Sequence, residues 1–300
     1  MPTNGPFVLA AGHVNWDVTL RVDALPDPDG EAAITSQHRS GGGSAANAAC
    51  ALAGLDVEAG LIGSVGDGDV AEYVRRELHE AGVDCRNLVT VGGGETAIKY
   101  LVVAEDGQVL VFGNDGVNEA FGPGDVDADY LRSADHLHLT SQAPETAAYL
   151  AETASEAGTP VSFDPGRRLV ERDYSEALAN ADLVFLNDRE AGAILDDDLE
   201  HPSAELHGRV VVTKHGPRGG AVHTPERTLD HPGFAVEPVD TTGAGDAFAA
   251  GFIATLLEHD DYERALEFAN ACGALAAQSE GARTAPTKPE VEEFLDGQFG

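Results

Sequence analysis

Lysine is almost missing from this chain. Only Lys99, Lys214 and Lys288 occur, and lysine plus arginine number 18 against 52 aspartates and glutamates, a formal charge of −34. A phosphate backbone needs the opposite sign, so nucleic-acid binding is excluded. Cysteine is scarce too: Cys50, Cys85 and Cys272 stand far apart without C-x-x-C spacing. That excludes a disulfide framework and a zinc site, and implies a reduced, cytoplasmic setting. No apolar run approaches the roughly 18 residues that cross a bilayer, so no membrane partner is expected. The opening MPTNGPFVLAAGH has no basic stretch before its apolar residues, and reads as a first strand rather than an export signal.

What is present is acid, and it is dispersed. DDDLE at 196–200 and EHDDYE at 258–263 are two patches among many, with no block gathered into a tail. An acidic interaction surface is one reading. The pattern better suits a solvated shell in concentrated salt, where screening shortens to about 3 Å at 1 M and self-repulsion is suppressed. The composition resembles that of cytoplasmic proteins from extreme halophiles. The chain has 300 residues, 42% of them apolar, which allows one large α/β domain with an insertion.

Strand-like and helix-like segments alternate. FVLAAG (7–12) is followed by the small-residue helix 44–54, a strand over 57–66 and a helix over 69–82. The rhythm returns in HLHLT and PETAAYLAETASEAG, PVSFD and YSEALANA, DLVFLN and DREAGAIL, then RVVVTK and a hairpin-like stretch. GAGDAFAAGFIATLLEH and YERALEFANACGALAAQ close the chain as two long helices. Such alternation predicts a mostly parallel sheet covered on both faces. Residues 18–39 and 95–113 break it with strands joined by PDPDG and EDGQ turns, and read as a β-lid built from two separated stretches.

The stretch DTTGAGDAFAAGF (240–252) carries the most chemistry. Gly243 and Gly245 permit close approach of a ligand just before an apolar helix, whose unpaired amides and dipole favour an anion such as phosphate. Asp246, in the first helical turn, could take a proton from a substrate hydroxyl while those amides steady a transferring phosphoryl group. The competing reading is an ordinary glycine-rich loop capping a helix. It is not a Walker loop, since GxxxxGK[S/T] is absent, nor a GxGxxG fingerprint, since Phe248 stands where the third glycine would be. His136 and His138 face one side of a strand without a third ligand, and read as structural.

DTTGAGDAF resembles the C-terminal signature of the ribokinase-like (PfkB-type) carbohydrate kinases. Further matches fall in family order: Gly12-His13-Val14-Asn15-Trp16-Asp17, then Gly42-Gly43-Ser44-Ala45-Ala46-Asn47 with IGSVGDGDVAEYVRREL, then Asn187-Asp188-Arg189-Glu190, VVVTKHGPRGG and ANACGALAAQSEGA. The resemblance implies a three-layer α/β/α fold with a small β-lid, a homodimer through that lid, ATP as co-substrate, and phosphorylation of a hydroxyl of a small sugar or sugar acid. It makes Asp246 the general base and Gly243, Ala244 and Gly245 the anion hole. Asp17, Gly42, Gly43 and Asn47 would hold sugar hydroxyls, with Gln142 where ribokinases carry a glutamate. Asn187 and Glu190 would organise Mg²⁺ through its waters. Lys214, Gly216, Gly219 and Asn270 would meet the nucleotide, and Asp240, Thr242, Ser279 and Gly281 would flank K⁺.

Three departures bear on specificity. Lys214 replaces a common threonine, and Gln142 weakens the case for ribose. In DPGRR (164–168), Gly166 replaces an asparagine while Asp164 and Arg168 are kept. A nucleoside or ribose-1-phosphate kinase is the alternative. A nucleoside base would need an apolar slot, which Trp16, Tyr100 and Phe112 could supply unless they merely pack. A catalytically silent sugar-binding regulator is the reading from another class, and the presence of Asp246, Gly243 and Gly245 argues against it.

Overall fold

A computed structural model describes residues 5–106, 108–194, 206 and 208–298. The acidic run 196–200 and Gly107 of the EDGQ turn lie outside the described residues. The chain begins with β1 (Phe7–Ala11) and passes through β2 (Asn15–Val22) and β3 (Ile34–Gly42) before α1 (Ser44–Gly54) returns it to β4 (Glu58–Val65). Next come α2 (Asp69–Glu80), β5 (Asp84–Thr90), β6 (Ala97–Ala104) and β7 (Val109–Gly113). Then α3 (Ala128–Arg132), β8 (His136–Thr140), α4 (Pro144–Ala157), β9 (Val161–Asp164), α5 (Ser175–Ala179), β10 (Leu183–Asn187) and α6 (Asp188–Ile194) alternate. The described chain finishes with β11 (Val210–Lys214), β12 (Gly220–His223), β13 (Thr228–His231), α7 (Ala244–His259), α8 (Tyr262–Ala277) and α9 (Lys288–Gln298).

Nine strands form one sheet in the order β13-β12-β11-β10-β9-β8-β1-β4-β5, parallel except for β12 and β13. This is the expected ribokinase-like α/β/α architecture. One face is covered by α3, α4 and α5 through Leu131, Leu150 and Leu178, and the other by α1, α7, α8 and α9 through Leu52, Phe252, Leu266 and Val291. Each such side chain contributes about 1.5–3 kcal/mol on full burial. α7 is apolar around most of its circumference because it lies between the sheet and α8, so its sequence shows little helical periodicity.

The four remaining strands form a second sheet, β3-β2-β6-β7. Its strands start earlier and end later than the turn-rich stretches suggested, at Asn15 and at Gly42. That extension matters because it draws Asp17 and the Gly41–Gly42 pair into regular pairing. A third closing helix, α9, follows α8; its sequence KPEVEEFLDGQ buries only Val291 fully and offers little apolar signal.

Candidate active site

The chain runs from β1 outward to β4 and β5, then reverses and continues from β8 to β13 on β1's other side. Ligands bind beyond the carboxyl ends of parallel strands at such a reversal. Thr140, Asp164, Asn187 and Lys214 stand in a row at the carboxyl ends of β8, β9, β10 and β11. The N-terminus of α7 points into the same region, since Gly245 and Lys214 approach closely.

Asp246 lies in the first turn of α7, where Gly243 adopts a left-handed φ of 78° and packs against the Ala282 carbonyl with no room for a Cβ. The Ala244 amide donates back to the Thr241 carbonyl at 3.2 Å, so Gly245 is better placed than Ala244 to offer its N–H to an anion. Asn47, on α1, donates its side-chain amide to Asp246 Oδ2 at 2.8 Å. Its own Oδ1 is buried without a partner, as is Oδ1 of Asp17 on β2. Gly42 abuts the Asp17 carboxylate so closely that a Cβ would collide with it. Asp17, Asn47 and Asp246 therefore form a row, with two unsatisfied acceptors suited to the hydroxyl groups of a polyol.

Electrostatics makes the row unusual. Burial pushes Asp246 up to about 7, partly opposed by the Asn47 hydrogen bond, with Asp164 raising it and Lys214 lowering it. Burial likewise raises Asp17 to about 6 against the pull of Arg283 and Lys99. A carboxylate poised near neutral is a competent base for an alcohol.

Lys214 ion-pairs with Asp164 below the cleft. Burial alone would lower its pKa, but Asp164, then Glu190 and Asp246, more than offset this and raise it. Asn187 and Glu190 form a reciprocal cap on α6: the Asn187 side chain donates to Glu190 Oε1 at 2.6 Å, its N–H to Oε2 at 3.0 Å, and Glu190 N–H donates to Asn187 Oδ1 at 3.0 Å. Burial, then Asp164, raises the Glu190 pKa. No group of three or more potential ligands able to hold a metal occurs among the described residues. Gly216 and Gly219 flank the tight turn after β11, both at positive φ.

Other anticipated residues are held as follows. Gln142 is fully buried, with both atoms of its side-chain amide unpartnered, while its carbonyl accepts from Arg172 and Tyr174. Asn270 is buried within α8 and donates to Leu266 one turn back. Asp240 ties two loops together, accepting from Thr242 N–H at 2.9 Å and Gly281 N–H at 3.2 Å; Ser279 lies exposed in the second loop. His136 and His138 are buried and both bond to Ser162 Oγ at 2.8 Å.

Sequence reasoning missed Arg283. Its guanidinium meets Glu77 at 3.1 Å and the Gly42 carbonyl at 3.3 Å, and so supports the glycine pair beneath Asp17. The 206-residue separation from Glu77 left no local signal. A cavity of about 490 Å³ lined by Leu55, Leu257, Arg264 and Leu295 lies at the opposite end of the strands, near the starts of β1 and β4, and shares no residue with this cleft.

Comparison with known proteins places this geometry in a wider group. The family model described as "pfkB family carbohydrate kinase" matches residues 6–289. An ATP-dependent ribose-1-phosphate kinase from Halopiger xanaduensis is 62% identical over 97% of this chain and 99% of its own length. A nucleoside kinase from Methanothermobacter thermautotrophicus is 29% identical over 98% of this chain and 96% of its own. Among solved structures, Arabidopsis thaliana ribokinase complexed with ribose and ATP superposes with a TM-score of 0.86 at 24% identity, covering 98% of this chain and 99% of that one.

Proposed function

Because the chain belongs to the pfkB family of carbohydrate kinases and is an ATP-dependent phosphotransferase acting on a sugar hydroxyl, we propose that its acceptor is ribose 1-phosphate. The 62% identity over nearly both full lengths supports this acceptor. The structural observation that carries the choice over a nucleoside is the fate of three aromatic rings. Trp16 is buried against Tyr73, their centroids 5.7 Å apart. Tyr100 pairs with Phe112 one residue out of phase with Lys99, hence on the face of the β-sheet opposite Asp17 and Lys99. No base slot arises from them.

In the proposed mechanism Asp17 and Asn47 orient the sugar through their free acceptors, and Asp246 takes the proton of the hydroxyl that attacks. The Gly243–Gly245 backbone at the head of α7 receives the migrating phosphoryl group. Lys214 would exchange its ion pair with Asp164 for the nucleotide phosphates, near the turn carrying Gly216 and Gly219; Asn270 lies on α8. The donor set fits Mg²⁺, since Asn187 and Glu190 offer polar groups but no closed cage, and this ion keeps most of its waters. When bound, it would neutralise phosphate charge. K⁺ would sit between the loops of Asp240–Thr242 and Ser279–Gly281, and Gln142 would support the acceptor end of the cleft.

The chain works as one domain whose four-stranded sheet closes as a lid and excludes water. The exposed edge strand β7, with Val109, Leu110, Val111 and Phe112 all 43–58% exposed, docks against a second copy. The acidic surface suits a cytoplasm of concentrated salt; all three cysteines are free, and no helix among the described residues is long and apolar enough to cross a membrane. The deciding assay is ADP release at molar KCl with ribose 1-phosphate, ribose, ketohexoses, 2-keto-3-deoxy sugar acids and nucleosides. The highest kcat/KM is expected with ribose 1-phosphate; preference for nucleosides would overturn the choice.

A further inference from the structure

In a chain with 52 acidic and 18 basic residues, a local gathering of cations outside the transfer machinery requires a reason. Four basic side chains, His13, Lys99, Arg168 and Arg172, converge around two carboxylates beyond Asp17. Glu119 is the fixed counter-ion of three of them: one oxygen accepts from His13 at 3.0 Å, Arg168 at 2.7 Å and Arg172 at 2.8 Å. The His13 hydrogen bond, then those of Arg172, hold it at about 2 despite burial.

Asp115 is different. It lies just after β7 with its side chain 58% exposed, yet its oxygens meet Arg168 at 2.7 Å and Lys99 Nζ at 3.6 Å, whose side chains are only 18% and 29% exposed. An exposed carboxylate bracketed by two better-buried cations from opposite walls of the cleft stands where an incoming anion would be held. Lys99 is paired with Asp17 across the β2–β6 ladder, so the bracket adjoins the carboxylate whose Oδ1 awaits a hydroxyl. Lys99 neighbours Asp17, whereas Asp246 is met by Asn47, so the bracket adjoins the Asp17 end of the row.

We infer that Lys99 and Arg168 form the subsite for the acceptor's own phosphate group, and that Asp115 holds its place until the phosphate displaces it. This rests on the ribose 1-phosphate reading. A phosphate dianion can accept from the planar fork of Arg168 and the ammonium of Lys99 at once, whereas a displaced Asp115 returns to water. The bound phosphate would tie the four-stranded sheet to the main sheet.

The test compares kcat/KM for ribose 1-phosphate and for ribose in the wild type, Lys99→Gln, Arg168→Gln, Lys99→Arg and Asp115→Asn. The ratio of the two values falls 10- to 100-fold in both glutamine variants, recovers largely in Lys99→Arg, and rises several-fold in Asp115→Asn, where KM for the phosphosugar drops. Lys288→Gln, which removes a distant lysine paired with Glu258, is the charge control and keeps the wild-type ratio. A wild type that does not turn over ribose 1-phosphate overturns the acceptor reading and the subsite with it. Turnover with a ratio unmoved by the Lys99, Arg168 and Asp115 substitutions overturns the subsite alone.

Discussion

In an Asp246→Asn variant the side chain keeps its shape and can still accept the Asn47 amide hydrogen bond, but it can neither take a proton nor carry charge. Loss of a general base lowers kcat by about 10²- to 10⁴-fold. The same substitution should stabilise the fold. Asp246 is held at about 7, against an ordinary value of 3.8, chiefly by burial. Folding therefore favours its protonated form: the stability tied to this group is fully present below pH 3.8 and is lost as pH rises towards 7. A shift of about three pH units corresponds to roughly 4 kcal/mol at 1.36 kcal/mol per unit. Because Asp246 retains some exposure to the cleft, we take about 2–4 kcal/mol. For 300 residues at about 2.1 cal/mol/K each, that is a rise in Tm of about 3–6 °C. Calorimetry of both proteins in molar KCl from pH 4 to 8 checks it, with the gap opening between pH 4 and 7 and level above. A variant that melts lower than the wild type at pH 8, or that keeps kcat within tenfold, would refute the reasoning.

Three further outcomes follow from the same contacts. Lys214→Met strips Asp164 of its partner and removes a charge that lowers the Asp246 pKa; the acid limb of the kcat/KM profile should move to higher pH, with activity at pH 7 down at least tenfold and stability down by about 3 kcal/mol. Gly42→Ala forces a methyl into the Asp17 carboxylate, so steady-state kinetics should show acceptor KM up about tenfold and denaturant unfolding a loss of about 1–3 kcal/mol. Val111→Lys places a charge on the β7 edge; under the proposed pairing of lids, light scattering after size exclusion should read twice 31.2 kDa for the wild type and a mass near 31.2 kDa for the variant.

Much of this protein is written locally. The small-residue run of α1, the strand DLVFLN and the glycine pair before Asp246 each form the elements their patterns predict, because propensity, capping and glycine's freedom act over a few residues. The motif order disclosed the family on the same terms. What no local pattern could disclose is who meets whom: Asn47 reaches Asp246 across 199 residues, Lys214 reaches Asp164 across 50, and Arg283 props Gly42 across 241. Those contacts, and the burial that pushes two carboxylates towards neutrality, exist only once the sheet reverses at β1 and the second sheet folds over it. The alternation of β6 put Lys99 on one face, but only tertiary packing set Arg168 and Asp115 opposite it. Chemistry at this site depends on distance and desolvation, which arise in three dimensions and leave no imprint on neighbouring letters.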